Sequence, residues 1–190
     1  MLVWFDSPHP KSSRFLLLDR DGILNENRPD YVKSIQEYKF YQDSLVALRL
    51  LKELGIGVIL ASNQSGINRG FISWENFWEM HEGMLRKVEE SGGKILAAFY
   101  CPHRPDELCG CRKPEPAMLL AACRFAGIKP SDTFFIGDHE TDIQAANNAG
   151  CRGIRLCRKD VQGNTDTCFS GEPYYTSLLD AVRDLYGECA

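Results

Sequence analysis

Residues 19–22 read Asp-Arg-Asp-Gly, directly after the apolar run Phe15 to Leu18. Two carboxylates one residue apart, Asp19 and Asp21, thus stand where a buried strand would meet a glycine turn. Alternation puts them on the same side if the strand continues, so their charges repel unless a cation lies between them. A plain polar turn would also carry Asp and Gly. A second acidic terminus argues for chemistry: Phe135-Ile136-Gly137-Asp138, with Asp142 one helical turn later. Helix capping would account for Asp138 alone, but not for acid at the ends of both strands. Two strands delivering aspartates to one rim of a sheet can build an oxygen-ligand site, and that donor type suits Mg²⁺.

A phosphoryl group needs hydrogen-bond donors and positive charge, and two further segments offer them. Ser62-Asn63-Gln64-Ser65-Gly66-Ile67-Asn68-Arg69-Gly70 follows an apolar run and combines a hydroxyl, amides and backbone N–H groups freed by glycine. Arg112-Lys113-Pro114 places two cations ahead of a helical segment, where they would neutralise transferring oxygens. Taken singly, the first would pass for a polar loop and the second for a solvated basic pair.

Cys101-x-His103 and Cys109-x-Cys111 bring three thiols and an imidazole within eleven residues. Four such ligands fit a closed tetrahedral Zn²⁺ site, which is structural and not catalytic. A redox pair at Cys109 and Cys111 is the alternative. The segment has little apolar content, so zinc would order it and thereby place Arg112 and Lys113. Cys123, Cys151, Cys157, Cys168 and Cys189 are scattered and read as buried or idle thiols.

The elements that must hold these residues alternate. Arg14 to Asp19, Ile56 to Ser62, Ile95 to Cys101, Thr133 to Asp138 and Gly153 to Cys157 read as buried strands. Between and after them, Asp43 to Leu54, Ser73 to Ser91, Pro116 to Ala126, Thr141 to Ala149 and Ser177 to Tyr186 show apolar residues at helical spacing, with Asp43 as the expected N-cap of the first. Five such alternations predict an α/β fold: a three-layer, Rossmann-like parallel sheet with helices on both faces. Ligands of such sheets sit beyond the carboxyl ends of the strands. The insertions after Asp21 and between the second and third strands leave no room for a large cap domain, so one domain over residues 1–190 with an open site is expected. Trp74, Phe77 and Trp78 read as packing, His81 as a surface histidine, and Gly163 to Pro173 as a loop of no evident purpose.

At 190 residues, 44% hydrophobic and 25% charged, the chain has the balance of a soluble globular protein. Its net charge of −4 offers no basic field for nucleic acid. Its apolar runs are far shorter than the roughly 20 residues that span a membrane, and the N-terminus lacks the pattern of a secretory signal. A cytoplasmic chain, probing no membrane and no nucleic acid, is expected.

In this order, Asp19-Arg20-Asp21-Gly22, Asn63-Gln64-Ser65-Gly66-Ile67-x-Arg69-Gly70, Cys101-Pro102-His103, Cys109-x-Cys111-Arg112-Lys113-Pro114 and Gly137-Asp138 resemble the haloacid-dehalogenase superfamily of phosphohydrolases. Within it, the combination is similar to the heptose bisphosphate phosphatase family over about residues 14–157, and Asp30-Tyr31-Val32 matches that family's loop after the first strand. The sister family of histidinol-phosphate phosphatases shares the zinc segment and accommodates Thr141-Asp142-Ile143-Gln144, but usually lacks the Ser-Gly-Ile-x-Arg-Gly run.

The resemblance implies a phosphomonoesterase of carbohydrate metabolism, in lipopolysaccharide biosynthesis, acting as a monomer on a small phosphorylated metabolite: the 7-phosphate of a heptose bisphosphate first, histidinol phosphate second. It implies Asp19 as nucleophile, Asp21 as general acid and base, Ser62 and Lys113 on the phosphoryl oxygens, and Mg²⁺ on Asp19, the Asp21 carbonyl and Asp138. Asn63, Gln64, Ser65, Arg112 and Tyr31 are the implied substrate contacts, with selectivity from loops near Arg28 to Tyr31, Arg69 and Arg104. Asp142 is implied to orient Lys113 or a metal-bound water. Cys101, His103, Cys109 and Cys111 are the implied zinc ligands. Three residues depart from the pattern: Ile23 for threonine, Ala117 for glycine and His139 for lysine or arginine. The last would weaken phosphate binding at its corner, so the departures bear on substrate more than on reaction. A zinc-stabilised interaction module of a different class would explain the cysteines, but not Asp19, Asp21, Lys113 and Asp138 together. A nucleic-acid end-processing phosphatase shares the aspartates but conflicts with the acidic balance.

Overall fold

A computed structural model of the chain describes residues 1–158 and 174–187. The loop expected at 163–173, Cys168 and Cys189 lie outside the described residues. Among the described residues seven strands form one sheet: β1 (Leu2–Phe5), β2 (Arg14–Leu18), β3 (Ile56–Asn63), β4 (Ala97–Cys101), β5 (Phe134–Gly137), β6 (Arg152–Leu156) and β7 (Tyr174–Tyr175), in the spatial order β1-β4-β3-β2-β5-β6-β7. All neighbouring pairs are parallel except β1 with β4. The parallel sheet read from sequence is thus present, with one antiparallel edge strand, β1, added to it. The antiparallel edge strand β1 escaped notice because it is only four residues long with Val3 and Phe5 exposed, so it lacks the continuous apolar signature of a buried strand.

Alternation along the central strands splits the core into two layers. Leu16, Leu18, Val58 and Leu60 face one side, packed by α1 (Gln42–Glu53), α2 (Trp74–Glu90) and α5 (Leu178–Tyr186). Phe15, Leu17, Ile59 and Ala61 face the other, packed by α3 (Ala117–Ala126) and α4 (Glu140–Ala149). Burial on both faces explains why these strands read as unbroken apolar runs. Register then does the positioning. Leu18 lies opposite both Leu60 and Ile136, and Asn63 opposite Cys101. The segments that follow β2, β3, β4 and β5 therefore leave the sheet at one rim.

Some local assignments shift. Asp43 lies inside α1, whose N-cap is Tyr41. Its carboxylate instead accepts from the Leu178 N–H at the start of α5 (2.9 Å) and from Arg158 (2.9 Å), so it ties the two helices together. Ser73 and Ser177 cap α2 and α5 by accepting from Asn76 N and Asp180 N. His81 is not on the surface. It is 2% exposed, edge-on to Trp4 and Trp78, with Nδ1 2.9 Å from the Tyr100 hydroxyl. The α2 face that buries Phe77, Met80 and Met84 carries it inward. Cys123 and Cys151 are buried free thiols as expected, whereas Cys157 is disulfide-bonded and not idle. Among the described residues no helix is long and apolar enough to cross a membrane.

Candidate active site and thiol cluster

Asp19 follows β2, and its N–H donates to the Ile136 carbonyl (2.9 Å), which continues the pairing with β5 one residue past the strand. Gly22, at φ +77°, then turns the chain. A side chain there is doubly excluded, because a Cβ would lie 2.0 Å from Asp138 Oδ2. Arg158 holds the turn from below by donating to the carbonyls of Gly22 (3.1 Å) and Ile23 (2.9 Å). Ile23, one of the departures, is fully buried in the core.

Asp138 leaves β5 beside Asp19. Oxygens of Asp19, Asp138 and Asp142 all lie within 4.8 Å of one another. Burial raises the Asp19 pKa to about 6 against the pull of Lys113, with the Asp142 and Asp21 charges adding to the rise. Burial, then the charges of Asp19 and Asp142, push Asp138 up to about 8. Buried hard oxygens that resist sharing negative charge are a donor set that a divalent cation satisfies, so the residues present fit Mg²⁺. Asp142 is turned to other work. Its Oδ2 accepts from the His139 N–H (3.0 Å) and its Oδ1 pairs with Lys113 at 2.6 Å. His139 closes the capping box through Nδ1, which accepts from Thr141 N at 3.2 Å.

Lys113 sits between these acids with a side chain 2% exposed. Its ammonium reaches Asp142, Asp19 Oδ1 (3.0 Å) and the Ala61 carbonyl (2.9 Å). Burial acts to lower its pKa, but Asp142 and Asp19 outweigh that and hold it well above the usual lysine value. The Lys113 backbone is fixed by Asn63, whose amide accepts from Lys113 N and donates to Lys113 O, both at 3.1 Å.

The remaining expected residues divide into inward and outward groups. Ser62 is buried at the end of β3, and Gln64 and Ser65 are buried behind it. Gln64 Nε2 donates to Asp21 Oδ2 (2.7 Å) and Ser62 Oγ (3.1 Å). Asp21 also receives the fork of Arg20 and the amide of Asn25. Burial acts to raise the Asp21 pKa, but the Arg20 charge and these hydrogen bonds win and hold it below the ordinary value. Tyr31 stacks on Phe71 with ring centroids 5.5 Å apart, and its hydroxyl lies 3.5 Å from Ser65 Oγ. A small cavity lined by Asp21, Asn27, Arg28, Tyr31, Asn63 and Gln64 opens at this corner. Arg69 is exposed at the end of its loop, while Arg104 pairs with Asp106.

The thiol cluster lies at the end of β4. Cys101 and Cys111 sulfurs lie 3.6 and 3.7 Å from Cys109 Sγ, and 3.5 and 3.4 Å from His103 Nδ1. A tetrahedron of thiolates about 2.3 Å from an ion has edges of about 3.8 Å, slightly shorter to nitrogen. The spacing fits Zn²⁺, and it places Cys109 and Cys111 beside His103 and Cys101 as well as beside each other. Arg112 donates from Nη1 to the His103 carbonyl (3.3 Å), so the cluster and the cationic loop are one unit.

Sequence reasoning assigned no role to Arg20, Asn25 or Arg158. Arg20 lay inside the acidic motif, but an arginine in a polar turn reads as solvated. Arg158 is 136 residues from the Gly22 carbonyl it holds, a distance that no local pattern bridges.

Comparison with known proteins agrees with this geometry. The HAD-hydrolase-like family model matches residues 110–183. A curated relative from Neisseria meningitidis serogroup A, named D-glycero-beta-D-manno-heptose-1,7-bisphosphate 7-phosphatase, is 38% identical over 171 residues, covering 90% of this chain and 91% of that protein. A relative of the same name from Pseudomonas putida is 38% identical over 175 residues, covering 92% and 98%. The crystal structure of D,D-heptose 1,7-bisphosphate phosphatase from B. bronchiseptica, complexed with magnesium and phosphate, superposes with a TM-score of 0.83 at 33% identity, covering 93% of this chain and 99% of that one.

Proposed function

The chain belongs to the haloacid-dehalogenase-like hydrolases and, within them, to the D-glycero-beta-D-manno-heptose-1,7-bisphosphate 7-phosphatase family, and from that premise we propose that it removes the 7-phosphate of D-glycero-D-manno-heptose 1,7-bisphosphate through an aspartyl-phosphate on Asp19. It is a magnesium-dependent phosphomonoester hydrolase. The observation that carries the reading is the meeting of Asp19 and Asp138 from two strand ends, with Lys113 beside them.

Asp19, Asp138 and the Asp21 carbonyl would hold Mg²⁺, which when bound supplies charge neutralisation for the phosphoryl oxygens. Asp19 attacks phosphorus, forming the Asp19–phosphate bond as the bond to the sugar oxygen breaks. Asp21 takes a proton from the water that releases phosphate and regenerates Asp19, and that proton is the one it gives to the leaving sugar oxygen in the next turnover. Ser62 and Lys113 hold the equatorial oxygens. Arg112 and Tyr31 face the substrate; Asn63, which lines the cavity beside Asp21 and is only half-buried, joins them, while Gln64 and Ser65 are buried and support the site from beside it.

Histidinol phosphate remains the second reading. It rests on the shared zinc segment and on Thr141-Asp142-Ile143-Gln144, which suits the histidinol-phosphate phosphatases. A panel comparing both heptose bisphosphate anomers with histidinol phosphate decides. A heptose bisphosphate is expected to lead in kcat/KM by at least about 100-fold, with all turnover lost on chelation of Mg²⁺. Preference for histidinol phosphate would reverse the two readings.

Cys101, His103, Cys109 and Cys111 would bind one structural Zn²⁺. Cys109→Ala is expected to lose the metal by elemental analysis and to lower kcat/KM by roughly 10–100-fold, because Arg112 and Lys113 lose their support. Full activity in a zinc-free variant would contradict this. The reading also takes residues 1–190 as one domain, acting as a cytoplasmic monomer on a small phosphorylated sugar.

A further inference from the structure

Arg20 and Gln64 are deeply buried, at 2% and 3% exposure. Both donate to one carboxylate, that of Asp21. Arg20 Nε donates to Asp21 Oδ1 (3.2 Å), and Nη2 donates to Oδ1 (2.9 Å) and Oδ2 (2.8 Å). Gln64 Nε2 approaches Oδ2 at 2.7 Å, the shortest contact of the group, and Asn25 Nδ2 approaches Oδ1 at 2.9 Å. Asp21 is the sole ion-pair partner of Arg20 among the described residues. The guanidinium is backed by the buried Tyr38 ring, 5.7 Å from its centre.

The Gln64 N–H donates to the Cys101 carbonyl (2.7 Å), which pins the loop to the end of β4 beside the thiol cluster. Its side chain spans from Asp21 to Ser62, while Ser62 is held independently by the register of β3 with β4. A guanidinium alone would neutralise Asp21. The second, neutral donor on Oδ2 adds direction and not charge, and proton transfer is sensitive to direction.

We propose that Arg20 and Gln64 are positioning residues for Asp21: they fix the plane of its carboxylate so that one oxygen faces first the leaving oxygen and then the attacking water. Neither residue touches the reacting atoms. The proposal rests on the reading of Asp21 as general acid and base, and its test separates the two.

The test uses p-nitrophenyl phosphate, whose leaving group departs without a proton, alongside a sugar phosphate, whose leaving group needs one. Rapid-mixing kinetics resolves formation of the Asp19 phosphoenzyme as a burst of nitrophenolate and its hydrolysis as the steady phase. For Gln64→Met, near in size and lacking the donor, the burst rate is expected to stay within a few-fold of the parent. The steady phase should fall on the order of 100-fold, phosphoenzyme should accumulate, and turnover of the sugar phosphate should fall at least as far, with KM little changed. Arg20→Lys keeps the charge but not the fork and is expected to show the same split; it carries the test if Gln64→Met does not fold. Equal loss in burst and steady phases, or no loss in either, would overturn the proposal. Asp21→Asn is the control. If it turns over like the parent, the reading of Asp21 fails; if it bursts and then stalls while Gln64→Met and Arg20→Lys behave as the parent, only the positioning role fails.

Discussion

Asp19→Asn is expected to lower phosphatase turnover by at least about 10⁴-fold while raising the thermal stability of the magnesium-free protein at pH 7.5. The first effect follows from chemistry: an amide of the same shape cannot attack phosphorus. The second follows from electrostatics. Burial disfavours the Asp19 charge and places its pKa near 6, above the ordinary 3.8. Its protonated form therefore suits the fold, and the associated stability is complete below pH 3.8 and lost as pH rises through about 6. At pH 7.5 the ionised group opposes folding unless a cation offsets it, and asparagine removes that opposition. The gain should vanish near pH 4, where Asp19 is protonated in either case, and Mg²⁺ should stabilise the parent more than the variant. Thermal unfolding at the two pH values, with and without Mg²⁺, checks each sign. Retained turnover would remove Asp19 from its role as nucleophile.

Lys113→Met is expected to err in the opposite direction, losing activity and stability together. Its ammonium answers two buried carboxylates, Asp19 and Asp142, at 3.0 and 2.6 Å. Removing one partner of a buried ionic cluster leaves uncompensated charge and costs about 3–5 kcal/mol, which urea unfolding would read. Turnover should fall by roughly 10²–10³ once the phosphoryl oxygens lose their cation. Adding Asp142→Asn separates the effects: the double variant should recover part of the lost stability and none of the lost turnover. Recovery of turnover would mean that Lys113 acts only as a structural counter-charge.

The parallel core and the rim that gathers the aspartates were legible in the chain because strands buried on both faces must be continuously apolar. Phe15 to Leu18 and Phe134 to Gly137 could hardly be anything else, and Asp19 and Asp138 follow them directly. The thiol segment was legible because its four ligands are close in sequence, so their meeting needs no knowledge of the fold. Long-range placement was not legible. The Arg158 guanidinium under the Gly22–Ile23 turn, the exchange of Asp43 from α1 to the start of α5, and the antiparallel addition of Leu2–Phe5 all depend on tertiary pairing. Gln64 reads from sequence as a substrate contact, and nothing local signals that its amide also donates to Asp21, 43 residues away.

The site is thus built in two shells around one charge problem. Asp19 and Asp138 are held together at an energetic disadvantage that a divalent ion would relieve, while Lys113, Asn63 and Asp142 keep the cationic side rigid. The measurement that bears most directly on this is a crystal structure grown with Mg²⁺ and beryllium fluoride, a mimic of a phosphoryl group on a carboxylate. The account requires beryllium bonded to an Asp19 oxygen, with Mg²⁺ held by Asp19, the Asp21 carbonyl and Asp138. Beryllium fluoride absent from Asp19, or Mg²⁺ bound away from Asp138, would contradict it.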